Sequence, residues 1–172
     1  KWEAEQGLQQ IARETGLQVV IIRSPLVYGA GVKANFASLM RLVARGWPLP
    51  LGGIHNRRSL VGLGNLVDFV ATCASHPQAA DLTFLVSDGH DLSTSELVRA
   101  MAQAARAPTL LLPVPARWLM WAGTCLGQSA AMHRLCDNLQ VDISKARTLL
   151  DWVPPYPVSV EMEQAYKGAQ KQ

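Results

Sequence analysis

Apolar positions along the chain follow two patterns, one with helical spacing and one of short continuous runs. The helical spacing predicts helices at residues 2–15, 34–45, 65–75, 94–105, 116–126, 144–150 and 158–167. The continuous runs predict strands at 19–23, 57–61, 82–86 and 109–112. The run at 19–23, VVIIR, is typical of a strand buried on both faces of a parallel sheet. Because helices and strands alternate, the pattern indicates an α/β fold.

The composition narrows the classes of function. Of the 172 residues, 49% are hydrophobic and 17% are charged, the balance of a globular protein rather than a disordered chain. The net charge is +3 and the basic residues form no run, which argues against a nucleic-acid-binding surface. The four histidines share no ligand-like spacing, so we expect no metal site. Three cysteines without CxxC spacing indicate a reduced, cytoplasmic protein.

The most apolar stretch of the chain, residues 110–126, is interrupted by Pro113, Pro115 and Arg117. It is too short and too interrupted to cross a bilayer, so we expect no membrane span and predict a buried or groove-lining helix there. The chain begins with KWEAEQGLQQ, which has a helical pattern rather than that of a signal peptide.

Four motifs follow one another along the chain. They are KWEAEQ at 1–6, VVIIRSPLVYGAG at 19–31, NRRSLVGLGNLVD at 56–68 and VDISKARTLLDWVP at 141–154. Together they resemble the extended short-chain dehydrogenase/reductase family, in its branch of NAD-dependent nucleotide-sugar epimerases, dehydratases and 4-keto-reductases. The sequence contains no GxGxxG turn for a dinucleotide.

The resemblance therefore implies the C-terminal part of a Rossmann-type fold. Residues 1–31 would be the last helix and strand of the Rossmann domain. Residues 32–172 would be mostly the small mixed α/β domain that binds the nucleotide-sugar substrate. The half of the protein that holds the dinucleotide would lie outside this chain.

The first two motifs carry the contacts that the family makes with cofactor and sugar. Lys1 would be the lysine of the YxxxK motif, which hydrogen-bonds the nicotinamide ribose and lowers the pKa of the catalytic tyrosine. Pro25 would lie beside the nicotinamide, and Leu26 and Tyr28 beside the sugar. Tyr28 has a second interpretation, as a loop aromatic that caps the core. Leu26 replaces the asparagine of many galactose epimerases, which favours acetamido or deoxy sugars.

The next two positions concern the diphosphate. Asn35 stands at a helix start, where free amides attract phosphate, and would contact the diphosphate or sugar or else cap the helix. Arg58 matches the arginine that clamps the diphosphate through its planar guanidinium, with Arg57 as the alternative. Gly62 stands where the family has Tyr or His, and Gly64 where it has an aspartate that caps the next helix. We expect this helix start to be weaker by about 1 kcal/mol.

Three positions have structural interpretations. The segment Ser93-Thr94-Ser95-Glu96 is predicted to form a capping box at a helix start. Asp142 is predicted to cap the helix at 144–150, and Trp152 to pack against the terminal helix.

The resemblance implies a UDP-hexose 4-epimerase that moves hydride at sugar carbon 4, with NAD or NADP as cofactor and a UDP-sugar as substrate. Two alternatives stay open, an NAD(P)H-dependent UDP-4-keto-6-deoxy-hexosamine reductase and a non-catalytic nucleotide-sugar-binding module. This chain alone would be inactive, because the tyrosine lies outside it. We also expect a homodimer, since family members pair through the helix after the tyrosine. Exposed Trp2, Leu8 and Ile11 would then make the chain self-associate.

Overall fold

The computed structural model describes residues 2–31 and 35–170, which contain eight α-helices and four short strands. In chain order the elements are α1 (Trp2–Thr15), β1 (Ile21–Arg23), β2 (Leu26–Tyr28), α2 (Asn35–Ala44), β3 (Leu60–Gly62), α3 (Leu63–Ser75), β4 (Thr83–Leu85), α4 (Thr94–Ala105), α5 (Ala116–Cys125), α6 (Ser129–Cys136), α7 (Ser144–Leu150) and α8 (Val158–Ala169). The predicted α/β fold is confirmed. The proposed boundary between 31 and 32 adjoins residues 32–34, outside the described part, and stays a prediction.

The strands form two parallel pairs. β1 pairs with β4, with Ile21 opposite Thr83, and β2 pairs with β3, with Leu26 opposite Leu60. The predicted parallel arrangement of the VVIIR run is confirmed, but the strand is shorter than predicted. It is buried at Ile21 and exposed at Arg23, so within the described residues it is not covered along both faces.

The predicted strand at 109–112 is wrong. This segment makes only an isolated parallel bridge, between Leu111 and Leu49. The next ladder bond would join Leu51 N to Leu112 O, but Gly52 N donates to that oxygen at 2.9 Å and Val114 N turns back to it at 2.8 Å, so the bridge does not extend. Two further elements, β2 and α6, were not predicted from the sequence, because neither has a distinct apolar period.

The β2–β3 pair separates two hydrophobic clusters. Tyr28 and Leu60 belong to the first cluster, which is built from α2, α4 and α8. Val61 belongs to the second, which includes residues of α3, β4 and α7, and Val27 packs against it. Because side chains alternate along a strand, both faces of this short pair are in contact with a core.

The helix starts follow the sequence closely. Ser93 and Glu96 form the predicted capping box, with Glu96 N donating to Ser93 Oγ at 3.1 Å and Ser93 N donating to Glu96 Oε2 at 2.7 Å. Asp142 accepts the backbone N–H of Ser144 at 2.8 Å, and this bond lowers the pKa of the Asp142 carboxyl. Asp142 therefore satisfies the first free N–H of α7 as predicted, but from the position before the N-cap residue, Ile143, which offers no side-chain cap.

The predicted packing of Trp152 on the terminal helix is wrong. Its ring lies 4.6 Å from that of Phe69 in α3, and its Nε1–H donates to Asp68 Oδ2 at 2.8 Å. Residues of α3 bury the indole and also supply the acceptor that its N–H needs. Trp152 therefore attaches the segment after α7 to α3.

The helix predicted at 116–126 is present, but it is not buried within this chain. The helix α5 forms there, but Gly123 is its one residue classed as buried. Trp118 and Trp121 are 58% and 66% exposed. No helix in the described part of the chain is both long and apolar enough to cross a membrane.

Candidate functional site

The segment after β1 brings Pro25 and Leu26 to the edge of the β2–β3 pair. Pro25 is half-buried and Leu26 is exposed, so both have surface that a ligand can reach. Leu26 is the first residue of β2 and lies opposite Leu60 of β3. The parallel pairing therefore fixes these two sequence-predicted residues relative to the chain that leads into β3.

Arg58 lies in that chain, two residues before β3, and its backbone is held from both sides. Arg58 N donates to Leu92 O at 3.0 Å, and Leu92 N donates to Arg58 O at 2.9 Å. On the other side, a parallel bridge joins Arg58 to Leu139. The backbone of Arg58 thus lies between two other backbone segments and is paired with both, which gives its side chain a rigid base.

The Arg58 side chain is half-buried, and burial lowers the pKa of its guanidinium, while the nearby Asp137 carboxylate acts in the opposite direction. Among the described residues, the guanidinium makes no hydrogen bond and has no carboxylate within 4.0 Å. A partly desolvated guanidinium without a protein acceptor keeps all five N–H donors available for an anion.

Arg58 and Leu26 share one face of the strand pair. Residues opposite each other in a parallel pair point to the same side, and so do residues two apart along an extended chain. Leu26 opposes Leu60, and Arg58 precedes Leu60 by two residues. From the strand spacing and rise, the Cα atoms of Leu26 and Arg58 are roughly 8 Å apart. One small polar ligand can therefore contact both side chains.

Tyr28 occupies a different environment from the one the sugar-contact prediction required. Its side chain is 0% exposed, and its hydroxyl donates to Asp88 Oδ2 at 2.7 Å. Burial and the Asp88 carboxylate raise the pKa of Tyr28 above its usual value. With no exposed atom in this chain and its hydroxyl already bonded, Tyr28 fits the second interpretation, an aromatic within the core under the loop.

Asp88 connects three segments around Tyr28. Besides the tyrosine hydroxyl, its carboxylate accepts Gly62 N at 2.8 Å and Asn65 Nδ2 at 2.8 Å. The Asn65 side chain also exchanges two hydrogen bonds with the backbone of Tyr156. This network joins β2, the start of α3 and the segment before α8. The sequence alone does not indicate this role of Asp88, because its partners are 23 to 60 residues away.

Gly62 and Gly64, which depart from the family pattern, leave space for the carboxylate of Glu161 in the first turn of α8. A Cβ at Gly62 or at Gly64 would overlap the side chain of Glu161 from α8. The helix α3 begins at Leu63, two residues earlier than predicted, so its N-cap is Gly62 rather than Gly64, and Gly62 offers no side-chain cap. The Glu161 carboxylate lies beside the first turn of α3 instead, where a negative charge is favourable. Its position offsets part of the expected loss.

Two sequence-predicted residues have no described side chain. Asn35 is the first residue of α2, which agrees with the predicted helix start, but its side chain lies outside the described part of the structure. Lys1 lies entirely outside it. Their predicted contacts stay predictions.

Arg57 lines a separate polar cleft that sequence analysis did not identify. This cleft has a volume of about 420 Å³, and its walls are formed by His55, Asn56, Arg57, Gly89, His90, Asp91, Ser93 and Glu96. Neighbouring residues of an extended segment point to opposite sides. Arg57 and Arg58 therefore serve different surfaces, and Arg58 is the one that shares a face with Leu26.

Comparison with known proteins finds a 4-epimerase relative and solved structures of the same fold. No protein-family model matches the chain. A UDP-glucose 4-epimerase from Vibrio cholerae is 54% identical over 156 residues, covering 90% of this chain and 48% of the relative. The chain thus spans about half the length of this relative.

Solved structures share the fold. The UDP-glucose 4-epimerase of Thermotoga maritima, determined with UDP-glucose, matches 99% of this chain and 52% of its own with a TM-score of 0.70 and 18% identity. The UDP-glucuronic acid 4-epimerase of Bacillus cereus, determined with NAD, matches 99% and 51% with a TM-score of 0.73 and 15% identity. With its family motifs in order, this fold and a 54% identical epimerase relative, the chain belongs to the extended short-chain dehydrogenase/reductase family.

Proposed function

We propose that this chain forms the substrate wall of an NAD-dependent nucleotide-sugar 4-epimerase, and that Arg58 binds the diphosphate of a UDP-sugar. The observation that carries the proposal is the half-buried Arg58 guanidinium, which has a rigid backbone and no protein acceptor among the described residues. Diphosphate oxygens are the acceptors that suit such a planar donor set.

The neighbouring residues fit the sugar end of the same ligand. Leu26 is exposed on the same face as Arg58, and Asn35 begins α2, whose free amides suit a phosphate or sugar oxygen. Tyr28 supports the wall from inside the core. The Vibrio cholerae relative is a UDP-glucose 4-epimerase, which favours epimerisation over the reductase and the non-catalytic binding module.

The dinucleotide would be held mainly by residues beyond this chain, since the sequence has no GxGxxG turn. When bound, NAD supplies the hydride acceptor for carbon 4 of the sugar. This chain would contribute the half-buried Pro25 beside the nicotinamide and Lys1 at the ribose and tyrosine. NADP is the alternative, because the residues that distinguish the two cofactors would also lie elsewhere.

The whole protein would be a cytoplasmic homodimer that pairs through α1. None of the fourteen residues of α1 is buried in this chain, and Trp2, Leu8 and Ile11 expose apolar surface on it. An interface would cover that surface. The three cysteines are all free, as suits a reducing compartment.

The test is calorimetric titration of the chain with UDP-N-acetylglucosamine and with UDP, using wild type, Arg58→Ala and the matched control Arg57→Ala. Loss of charge-assisted hydrogen bonds worth about 2–3 kcal/mol predicts a rise in Kd of roughly 30- to 150-fold for Arg58→Ala. Arg57→Ala should bind as wild type does, because Arg57 faces the other cleft. Equal losses in both variants, or no binding by wild type, would contradict the assignment.

A further inference from the structure

One face of α5 is aromatic and exposed. Trp118 and Trp121 are three residues apart, and Arg117 and Cys125 stand four residues before and after Trp121. Residues three and four apart lie on the same side of a helix, so all four share one face. All four are exposed to solvent in this chain.

The other face of α5 is already used by the fold. Gly123 is buried where a Cβ would overlap Met132 of α6, so the two helices pack closely there. Leu119 packs against the cluster built from α2, α4 and α8. The tryptophan face therefore points away from the described part of this chain, and none of the described residues covers it.

The segments on either side of α5 extend the apolar surface. Leu111 packs inward beside Leu49, while its neighbours Leu110 and Leu112 are exposed. Leu126, which follows the helix, is 77% exposed. We call the exposed side chains of Leu110, Leu112, Arg117, Trp118, Trp121 and Leu126 the α5 surface.

The stretch of chain that contains the α5 surface carries arginines and no acidic residue. Residues 97–136 contain no Asp or Glu and four arginines, Arg99, Arg106, Arg117 and Arg134. Residues 15–67 contain no Asp or Glu either. The two stretches meet directly, because Leu49 N donates to Leu110 O and Gly52 N donates to Leu112 O, each at 2.9 Å. The exposed tryptophans therefore lie in a stretch of chain that contains arginines and no carboxylate, and the carboxylate that ends this stretch, Asp137, is paired with His133.

We propose that the α5 surface docks on an anionic lipid bilayer. Indole rings favour the headgroup layer, where an apolar ring meets water and the N–H finds acceptors. Arginines near such a surface are attracted to anionic lipids. A short helix that presents tryptophans and an arginine to one side, without spanning the membrane, suits this peripheral position. The proposal rests on the α5 surface alone and is independent of the function proposed above.

Charge favours a bilayer over a second copy of the chain. In a symmetric dimer the same surface meets itself, so the arginines of both copies would come together without carboxylates between them. An anionic bilayer supplies the opposite charge and a layer that accepts exposed tryptophans.

The test is sedimentation of the full chain with vesicles of equal parts phosphatidylglycerol and phosphatidylcholine, and with phosphatidylcholine alone. The key variant is Trp118→Gln/Trp121→Gln. The matched control is Val67→Gln/Val70→Gln, which alters two exposed apolar residues three apart on α3, outside both the α5 surface and the proposed dimer interface. Circular dichroism and thermal melting of each variant establish that it is folded.

Wild type and the α3 control should bind the anionic vesicles, and the α5 double variant should bind at least about tenfold more weakly. Arg117→Gln should weaken binding about fivefold on anionic vesicles and leave the weak binding to phosphatidylcholine unchanged. Failure of wild type to bind, or equal binding by the α5 variant, would overturn the proposal. So would self-association that the α5 variant alone abolishes without any vesicle binding by wild type, because a second copy would then be the occupant.

Discussion

Replacing Tyr28 with phenylalanine would remove one hydroxyl from a site where nothing replaces it. The ring is fully buried, and its hydroxyl donates to Asp88 at 2.7 Å. A hydrogen bond to a charged, partly buried acceptor contributes about 1.5–3 kcal/mol. Asp88 keeps its bonds from Gly62 and Asn65, so we expect Tyr28→Phe to fold with a free energy of unfolding lower by about that amount.

The same site predicts a dependence on alkaline pH. Burial and Asp88 raise the pKa of Tyr28 in the folded state, whereas the unfolded state releases this proton near pH 10. Above about pH 10 the unfolded state therefore binds fewer protons than the folded state. Stability that is fully present below that pH is then lost at about 1.4 kcal/mol for each further pH unit. Tyr28→Phe lacks this contribution, so the stability difference between the two proteins should shrink as pH rises.

The assay is urea unfolding of wild type and Tyr28→Phe near neutral pH and about one unit above pH 10, with Tyr156→Phe as control. Tyr156 is exposed, and in the described structure its hydroxyl makes no hydrogen bond, so its replacement should leave stability nearly unchanged at both pH values. Other groups that titrate at high pH affect all three proteins alike and cancel in the comparison. A Tyr28→Phe protein as stable as wild type at neutral pH, or a difference independent of pH, would refute the reasoning.

Two further substitutions, each with its own control, test local contacts in the fold. Gly29 has φ of +152°, and a Cβ there would lie 2.5 Å from Leu63 Cβ, so Gly29→Ala should lower the free energy of unfolding by about 1–3 kcal/mol. The control Gly7→Ala lies in a helix with open space around it and should instead raise the free energy of unfolding by about 0.5–1 kcal/mol. If both substitutions destabilised the protein, the close approach of Leu63 to Gly29 would not be the cause. Ser93→Ala should cost about 1 kcal/mol by removing the N-cap, whereas Glu96→Gln preserves the capping box and should cost little. Urea titration measures all four, and equal stability of the Ser93 and Glu96 variants would contradict the cap assignment.

Local signals in the sequence were sufficient where the structure depends on neighbouring residues. The capping box at Ser93 and the cap at Asp142 each involve groups two or three residues apart, and both are present. The helices α1, α2, α4 and α7 agree with their predicted bounds to within about one residue. Their apolar spacing and start signals are complete within each segment.

The sequence and the tertiary structure each contributed part of the description of the candidate site. The motif around residue 58 contains two neighbouring arginines, and its match to the family pattern favoured Arg58. The bonds to Leu92 and the bridge to Leu139 show why that residue has a rigid base, and they connect segments distant in sequence. For Tyr28 the sequence left two interpretations open. It could not decide between them, because the hydroxyl's acceptor, Asp88, is 60 residues away.

By itself the sequence determined most of the helices, the local helix caps and the family resemblance, since each rests on local spacing or on motifs in a fixed order. The tertiary structure alone decided which apolar residues are buried. The helix at α5 has an apolar composition that suits a core, yet it leaves Trp118 and Trp121 exposed, because α6 and the α2–α4–α8 cluster cover only its opposite face. Trp152 likewise packs on α3 rather than on α8, where Phe69 and Asp68 offer both a ring and an acceptor. Burial is a property of the partners that the fold brings together, and a sequence pattern does not name those partners.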